Sequence, residues 1–322
     1  MCKRAVLLAF VVMFVSAGWA GAWTVPSTGI TKCYDTTGEI TCPNPGQAFY
    51  GQNGNFPGQA HAFVDNGDTA TDQITGLVWQ KTPDGVTHNW DAAAAYCTGL
   101  GLDNQSDWRL PTQREHLTIV DSDRARPAFA GPLAGTSGHY WSATPYAGYT
   151  APASWYVNFV YGSSEFNDRD TGRNVRCVRG QTLADDTYVV QGNVVVDTTT
   201  GLIWEKTASA ASKSWAEALA YCQNQTVDGY TDWRLPDIME LRTLVDYTKI
   251  SPAINNTFVG SGTFYWSSST LKDHPDLAGY VDFTAGTSAS DNKTRTDFFV
   301  RCLRNSSSRT VVVSPIDCLL LQ

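Results

Sequence analysis

The chain has 322 residues, of which 42% are hydrophobic and only 17% charged, and its formal net charge at pH 7 is −8. Such a composition is typical of a globular protein and excludes a disordered chain or a coiled coil. The acidic balance, without any Lys/Arg cluster, disfavours nucleic acid and anionic membrane surfaces as partners.

Residues 1–22 have the three parts of a Sec-type signal peptide. Lys3 and Arg4 begin it, an apolar core follows, and Ala20-Gly21-Ala22 forms a small-residue cleavage site. The apolar core is too short for a good transmembrane helix, and no other segment is apolar enough to form one. We therefore expect an exported protein that is secreted, periplasmic or on the cell surface, and cleavage would remove Cys2.

Residues 23–63 are rich in Pro, Gly, Asn and Gln and are expected to form a mostly irregular leader. Within the leader, Cys33 and Cys42 flank the turn-rich stretch YDTTGEIT. In an oxidising compartment these two cysteines are expected to form a local disulfide.

The sequence after the leader repeats itself at a spacing of 125 residues. The motif DWRLPTQREHL recurs as DWRLPDIMELR, and Trp, Cys, Tyr-Trp-Ser and Arg-Cys motifs recur at the same spacing. The spacing becomes 124 only near Phe159 and Phe283, which predicts a variable segment between the Tyr-Trp-Ser motif and the last cysteine. Two tandem domains explain this period, which is too long for a solenoid unit. They span residues 64–180 and 189–305, and residues 306–322 form a C-terminal tail.

Each repeat contains two cysteines that are 80 residues apart, which predicts one disulfide within each repeat, Cys97–Cys177 and Cys222–Cys302. Loops of this length constrain the unfolded chain by roughly 4–5 kcal/mol in the entropy model. Of the 8 cysteines, seven remain after the predicted cleavage, and this number is odd. Cys318 in the tail is therefore either a free thiol or a handle for an intermolecular disulfide.

The predicted order in each repeat is strand, helix, helix, irregular aromatic region and strands. GLVWQKT and GLIWEKT are short apolar strands that open the repeats. NWDAAAAYCTGL and SWAEALAYCQNQ are helices with Asn89 and Ser214 as N-caps. WYVNFVYG and GYVDFTAG alternate as strands, and NVRCVRG and FVRCLRN are closing strands. Each disulfide would therefore tie the first helix to the last strand.

The repeated Asp-Trp-Arg-Leu-Pro motif allows a structural and a functional interpretation. Glu115 and Glu240 stand at the capping-box position of a following helix, where each would accept from its own N-cap backbone. The Arg of each motif is expected to pair with a carboxylate, with Asp121 and Asp246 as candidates. The functional alternative makes Arg and Glu an acid/base pair or an anion clamp. We favour the structural role, which falls to Trp108, Arg109, Glu115, Trp233, Arg234 and Glu240.

No histidine recurs between the repeats, which excludes a shared catalytic or zinc site that uses histidine. The recurring Ser142 and Ser267 have no recurring histidine to activate them. The cysteines are explained by disulfides, and there is no Gly-rich phosphate loop. The sequence therefore assigns no catalytic residue and no metal site, and we do not expect an enzyme.

The divergent segment of each repeat is rich in Tyr, Ser, Gly, Asn and Asp, a composition that suits adaptable recognition. Aromatic side chains beside Asn, Asp and Glu also suit sugars. The acidic stretch EFNDRD and the pair Asp-Asn in the second copy are candidate Ca²⁺ ligands, although their spacing matches no EF-hand. No other cofactor is expected. The candidate ligand-binding residues are Tyr161, Glu165, Asn167, Asp168, Arg169, Asp282, Asp291 and Asn292.

The motifs TGLVWQKT, NWDAAAAYC, SDWRLPTQREHL, YWSAT and NVRCVRG follow one another in the first repeat and recur, with changes, in the second. In this order they resemble the bacterial domain, formerly of unknown function, at the C-terminus of the Legionella collagen-like adhesin. They are also similar to the C-type-lectin-like fold, including its formylglycine-generating relatives. The resemblance implies two tandem C-type-lectin-like α+β domains, whose long loop regions carry the binding surface.

The leading hypothesis is an exported, non-catalytic binding or adhesion protein whose partner is a carbohydrate or a surface protein. One alternative is a structural subunit of an extracellular assembly, in which Cys318 joins chains. A second alternative is an enzyme related to the formylglycine-generating fold. The active cysteines of those enzymes have no counterpart here, because each repeat offers only its disulfide pair.

Overall fold

The computed structural model describes residues 22–260 and 262–305, which form a leader followed by two α+β repeats. The tail with Cys318, and all of the predicted signal peptide but Ala22, lie outside these residues. The leader contains β1 (Cys33–Tyr34), β2 (Glu39–Ile40) and a 3-10 turn (Asn53–Asn55).

The two repeats contain the same elements in the same order, which confirms the tandem α+β fold predicted from the sequence. Repeat 1 has β3 (Phe63–Asp65), β4 (Thr69–Asp72), β5 (Val78–Gln80), α1 (Trp90–Gly99), α2 (Gln113–Leu117), β6 (His139–Pro145), β7 (Ala153–Asn158), β8 (Ser163–Asp168) and β9 (Val178–Arg179). Repeat 2 has β10 (Tyr188–Gln191), β11 (Val194–Asp197), β12 (Leu202–Glu205), α3 (Trp215–Gln223), α4 (Ile238–Thr243), β13 (Phe264–Leu271), β14 (His274–Asp282), β15 (Thr287–Asn292) and β16 (Leu303–Asn305).

Two details of the predicted element order are wrong. The strands β5 and β12 do not open the repeats, because each is preceded by a hairpin that extends the same sheet, in the orders β3-β4-β5-β9 and β10-β11-β12-β16. The Tyr-Trp-Ser motifs are not irregular either, since they lie inside β6 and β13. The early strands are short and their composition is largely polar in repeat 1, so the apolar alternation that marks a strand is weak there.

The disulfides Cys97–Cys177 and Cys222–Cys302 are present, with Cα–Cα distances of 5.4 and 5.5 Å. Each joins the first helix of its repeat to the residue immediately before the last strand, as the equal spacing predicted. The N-caps are also as predicted, since Asn89 Oδ1 accepts from Ala92 N and Ser214 Oγ from Glu217 N.

The two repeats join through one continuous six-stranded sheet, in the order β13-β14-β15-β8-β7-β6. Its central pair is β8 with β15, which are equivalent strands of the two repeats, and Ser164 pairs with Ser288. The turns that precede these strands contain Gly162 and Gly286, with φ of +80° and +86°. Because a side chain at either glycine would collide with a buried valine, only glycine fits there. The repeats are therefore related by an approximate two-fold axis at the middle of the sheet.

The largest hydrophobic core also runs through both repeats. It contains Phe129, Tyr140 and Phe159 of repeat 1 together with Leu241 and Val281 of repeat 2. Two smaller clusters surround the disulfides on the opposite face of the sheet, one in each repeat. Sheet and core together make the two repeats one packed body.

Residues 33–56 of the leader, here called the leader unit, are compact although they contain little regular structure. The disulfide Cys33–Cys42 closes the β1–β2 hairpin. The 3-10 turn packs so closely on this disulfide that a Cβ at Gly54 would lie 2.6 Å from the Cys33 Sγ. Across the described part of the chain, no helix is both long enough and apolar enough to span a membrane. Three disulfides are consistent with an extracellular protein.

Candidate functional site

The repeated Asp-Trp-Arg-Leu-Pro motif forms an internal ion pair in each repeat. The Arg109 guanidinium donates to both carboxylate oxygens of Glu115, at 2.7 and 2.6 Å. Arg234 and Glu240 make the same two bonds at the same distances. The predicted partners Asp121 and Asp246 are thus wrong, because the capping-box glutamate lies closer to the arginine along the same turn.

Each of these glutamates has a second structural role, as predicted. Glu115 Oε2 accepts from Thr112 N at 2.8 Å, and Glu240 Oε2 accepts from Asp237 N at 2.9 Å. Burial would lower the pKa of Arg234, but Glu240 outweighs this effect and raises it. The carboxylate of each motif therefore holds the helix start and the arginine at once, which is the structural role predicted for it.

The candidate ligand-binding residues do not converge on one site. On repeat 2, Asp282 accepts from Thr284 N, Asn292 from Thr294 N, and Asp291 pairs with Arg295 at 2.9 Å. Asp168 likewise accepts from Asp170 N, and Asn167 from Asp168 N. These five side chains stabilise local turns and strand ends.

Tyr161 lies at a cavity between the repeats. Its hydroxyl contacts Arg126 and lies 3.3 Å from Nε2 of His274. The cavity has a volume of about 170 Å³ and is also lined by Arg242 and Thr270 of repeat 2. Arg242 donates to Gly162 O at 2.7 Å and to Ser288 Oγ at 3.0 Å, so it bridges the two repeats.

Glu165 belongs to a polar cluster on the sheet of repeat 1, formed by His139, Tyr156, Glu165 and Arg173. The Tyr156 hydroxyl donates to Glu165 Oε2 at 2.5 Å. The Arg173 guanidinium lies 3.5 Å from the centre of the Tyr156 ring, and the His139 ring lies 5.1 Å from it. This polar cluster brings an acid, a cation, a phenol and an imidazole together beside α1.

The polar cluster holds its charges apart from solvent by burial and by hydrogen bonds. Burial would raise the pKa of Glu165, but bonds from Tyr156, Ser163 and Asn158 outweigh it and hold that pKa below its usual value. Burial and Glu165 raise the pKa of Tyr156 to about 12. Burial and the neighbouring Arg173 lower the pKa of His139. At neutral pH the cluster therefore contains an anion, a cation and a neutral imidazole.

Repeat 2 replaces the polar cluster by apolar packing. The equivalent positions are Phe264, Tyr280, Ala289 and Phe298. Phe298 stacks on Trp266 with a centroid distance of 3.9 Å. The two repeats therefore share a fold but differ in the chemistry of this face.

The second difference between the repeats is the leader unit, which covers repeat 2 only. Trp215 of α3 is fully buried, and Lys293 lies over its ring at 4.0 Å while donating to the Asp35 carbonyl at 2.9 Å. Asn53 accepts from Ser269 Oγ at 2.7 Å and donates to Asp237 at 3.4 Å. The residues covered in this way, here called the covered face, are Trp215, Leu219, Asp237, Ser269 and Lys293.

The equivalent positions of repeat 1 have no such cover and are only partly buried. The Arg169 guanidinium stacks over Trp90 at 3.9 Å, as Lys293 does over Trp215. The Trp90 indole donates to Ser142 O at 2.8 Å, as that of Trp215 does to Ser267 O. We call these positions the open face; they are Trp90, Ala94, Thr112, Thr144 and Arg169.

Sequence reasoning included Arg169 and Glu165 but missed their neighbours. In repeat 2, Trp90 and Tyr156 correspond to aromatic residues, and Arg173 corresponds to Phe298. Of these three positions, only that of Arg173 changes its chemistry between the repeats, so only that change could have pointed to the site. The exposure of Trp90 against the burial of Trp215 is invisible to sequence comparison, because it depends on where the leader packs. Within residues 22–260 and 262–305, no group of three or more His, Cys, Asp or Glu is placed to hold a metal.

Two segments of the chain, residues 68–179 and 193–304, match the model of the Lcl C-terminal domain family. They cover more than half of the 322 residues and coincide with the two repeats. No curated protein matches the chain. This match confirms the resemblance to the domain at the C-terminus of the Legionella collagen-like adhesin.

Proposed function

The chain belongs to the Lcl C-terminal domain family, and we propose that it is an exported, non-catalytic binding protein whose ligand binds on repeat 1. Membership of this family indicates an adhesin-like, extracellular type of bacterial domain. The ligand is a carbohydrate or a protein, and the binding surface consists of the open face and the adjoining polar cluster.

One observation carries the proposal: the same surface is occupied on repeat 2. There the leader unit fills it, and Trp215 and Lys293 are 0% and 1% exposed. On repeat 1 the homologous Trp90 and Arg169 retain the same stacking but remain partly exposed. A surface that is partly exposed in one repeat, and whose equivalent in the other repeat is covered, is a candidate binding site.

The chemistry of this surface suits recognition rather than turnover. Trp90 offers a partly exposed aromatic ring, Arg169 and Thr144 offer donors, and Glu165 offers an acceptor that is already bonded to the buried Tyr156. Flat aromatic rings beside a few fixed polar groups are typical of ligand sites. Among the described residues, the hydroxyls of Tyr156 and Ser163 are the only nucleophilic groups within hydrogen-bond distance of Glu165.

The test is a binding screen of residues 23–322 against an array of glycans and polysaccharides, with Ca²⁺ or a chelator, at low and high salt. We expect salt-resistant binding that is lost in Trp90→Ala and Arg169→Ala. Arg295→Ala is the matched control, because Arg295 is exposed on repeat 2 and, among the residues that the structure describes, its ion pairs are those with Asp291 and Asp297. Loss of binding at high salt alone would indicate unspecific charge attraction and contradict a built site.

A second candidate function, a subunit of a covalent assembly, is favoured by the cysteine pairing. The six described cysteines form three internal disulfides, so Cys318 has no partner among them. Reducing and non-reducing gels of the wild type and Cys318→Ser test this candidate. It requires a thiol-dependent oligomer that the substitution abolishes, and a monomer on both gels would reject it.

A further inference from the structure

We infer that the open face of repeat 1 takes a protein turn of the same kind as the leader unit, presented by a partner protein. This inference rests on the function proposed above and names its ligand class. The turn would place a backbone carbonyl on Arg169 and a side-chain carbonyl on Thr144.

The first contact is defined by the cation that stacks on the tryptophan. On the covered face, Lys293 Nζ donates to the carbonyl oxygen of Asp35, at the tight turn between β1 and β2. On the open face, Arg169 occupies the same position, and its Nε donates to Ser154 Oγ at 2.8 Å. No hydrogen bond joins its two terminal nitrogens to another described residue, so both are available to a ligand carbonyl beside Trp90. An arginine offers there more donors in a fixed geometry than a lysine does.

The second contact is defined by a hydroxyl at the start of the second helix. Ser269 Oγ accepts from Ile238 N at 2.9 Å and donates its own proton to the Asn53 side-chain carbonyl at 2.7 Å. Thr144 Oγ1 accepts from Gln113 N at the same distance of 2.9 Å. Among the described residues its proton has no acceptor, so a ligand carbonyl at the position of Asn53 would complete it.

The shape of the open face differs from that of the covered face in one respect. On repeat 2, a Cβ at Gly51 would lie 3.6 Å from Leu219 and 3.1 Å from Gln223. Repeat 1 has Ala94 and Thr98 at these positions. Their shorter side chains leave room for a side chain where the leader has glycine, so the partner need not contain glycine there.

The charge of the open face differs as well. The acidic Asp237 of the covered face is replaced by the neutral Thr112, while Arg169 keeps a positive charge over the tryptophan. An acidic turn therefore suits the open face better than the covered one. The leader unit, with Asp35 and Glu39 on its hairpin, is of this type.

The experiment uses a synthetic peptide of residues 30–57 with the Cys33–Cys42 disulfide closed, titrated into the full mature chain by calorimetry. The tethered leader protects repeat 2 because its effective concentration is of order millimolar. We expect one peptide to bind per chain. Arg169→Ala in the protein, and Asn53→Ala in the peptide, should each weaken binding about tenfold or more. Arg295→Ala in the protein should leave the affinity unchanged.

Three results would overturn the inference: no binding up to about 1 mM peptide, affinity that Arg169→Ala leaves unchanged, or equal affinity for the reduced, alkylated peptide. Thr144→Val provides a second variant that should also weaken binding; because it removes the acceptor of Gln113 N as well, its melting temperature is measured beside the affinity. Glycan binding that depends on Arg169, without peptide binding, would reject the inference and keep the proposed function. Both fail if no ligand responds to any open-face variant.

Discussion

The backbone N–H of Ser164 donates to the side-chain hydroxyl of Ser288 at 3.0 Å, and the two serines occupy the same position of their repeats. The contact lies where β8 meets β15, in the middle of the six-stranded sheet. A residue that meets its own equivalent marks a two-fold axis. The repeats therefore associate within one chain as the subunits of a symmetric dimer would, and differences between them stand out.

One such difference is His116, which is fully buried where repeat 2 has the buried Leu241. Neither ring nitrogen of His116 has a hydrogen-bond partner in the described residues, and the ring stacks on Trp79 at 5.9 Å. Because two buried polar atoms are unsatisfied, His116→Leu should stabilise the protein by about 1–2 kcal/mol at pH 7. Urea unfolding followed by tryptophan fluorescence measures this change. A loss of stability would show that the imidazole is bonded in solution.

The same histidine should make the protein sensitive to acid. Burial and then Arg176 lower its pKa from 6.5 to about 3. Between about pH 3 and pH 6.5, His116 is protonated in the unfolded chain but not in the folded chain. The free energy of unfolding therefore falls as the pH falls from about 6.5 towards 3. In His116→Leu this part of the slope should disappear. Melting temperatures of both proteins across this range check the prediction, and parallel curves would contradict it.

The repeated Arg–Glu pairs should be needed for stability to different degrees. The side chains of Arg234 and Glu240 are 10% and 11% exposed, whereas Arg109 is 27% exposed. Glu240→Ala strands a buried cation and should cost about 3–5 kcal/mol. Glu115→Ala should cost less, about 2 kcal/mol, because water reaches the remaining arginine. Chemical denaturation measures the free energy of unfolding of both variants and so gives the order of the two losses. Unchanged stability together with a loss of ligand binding would instead support a functional role of the pair.

The glycines at the centre of the sheet should be irreplaceable. A Cβ at Gly162 would lie 2.3 Å from Val120, and one at Gly286 would lie 2.7 Å from Val245. Alanine there adds a steric clash to the strain of a positive φ, for a total of about 2–4 kcal/mol. Gly85→Ala is the control, because its φ is +78° but no atom lies within 4 Å of the new Cβ. It should cost only about 1 kcal/mol, and an equal loss in all three variants would exclude the clash.

The docking of the leader on repeat 2 should respond to pH through Lys293. Burial lowers its pKa from 10.5 to about 7. Between these values the unfolded chain holds a proton that the folded chain has released, so stability rises with pH from about 7 towards 10.5. Lys293→Met should remove this rise, and melting curves across the range measure it. If the stability of the wild type and that of Lys293→Met change with pH in the same way, the amine is not buried under the leader.

The features that occur in both repeats could be predicted from the sequence. Equal cysteine spacing predicted two disulfides, and the capping-box spacing of Glu115 and Glu240 predicted the bonds to the helix starts. It was wrong about the partner of Arg109, because the fold of a single turn decides which carboxylate is nearer. It also missed the hairpins β3–β4 and β10–β11, whose strands are only three or four residues long.

What distinguishes the two repeats could be predicted only in part. The divergent segment suggested the side of the domain on which Glu165 and Arg169 lie, but most of its acidic residues stabilise turns. Trp90 of the open face has an identical counterpart, Trp215, on the covered face, so the sequence gives no sign that only one of the two is exposed. This difference in exposure arises from a contact between segments that are distant in sequence, such as Asp35 with Lys293, which no local pattern records.

The leader unit occurs once in the described part of the chain, and the face that it covers on repeat 2 has an uncovered equivalent on repeat 1. In any chain built this way, duplication of the repeat without the leader adds one accessible surface for each added copy. If the open face binds its ligand as proposed, the number of ligands that one molecule holds follows the number of copies of the repeat, before any residue of the surface changes. Conversely, if the leader were copied together with the repeat, it would cover the equivalent surface of the new copy.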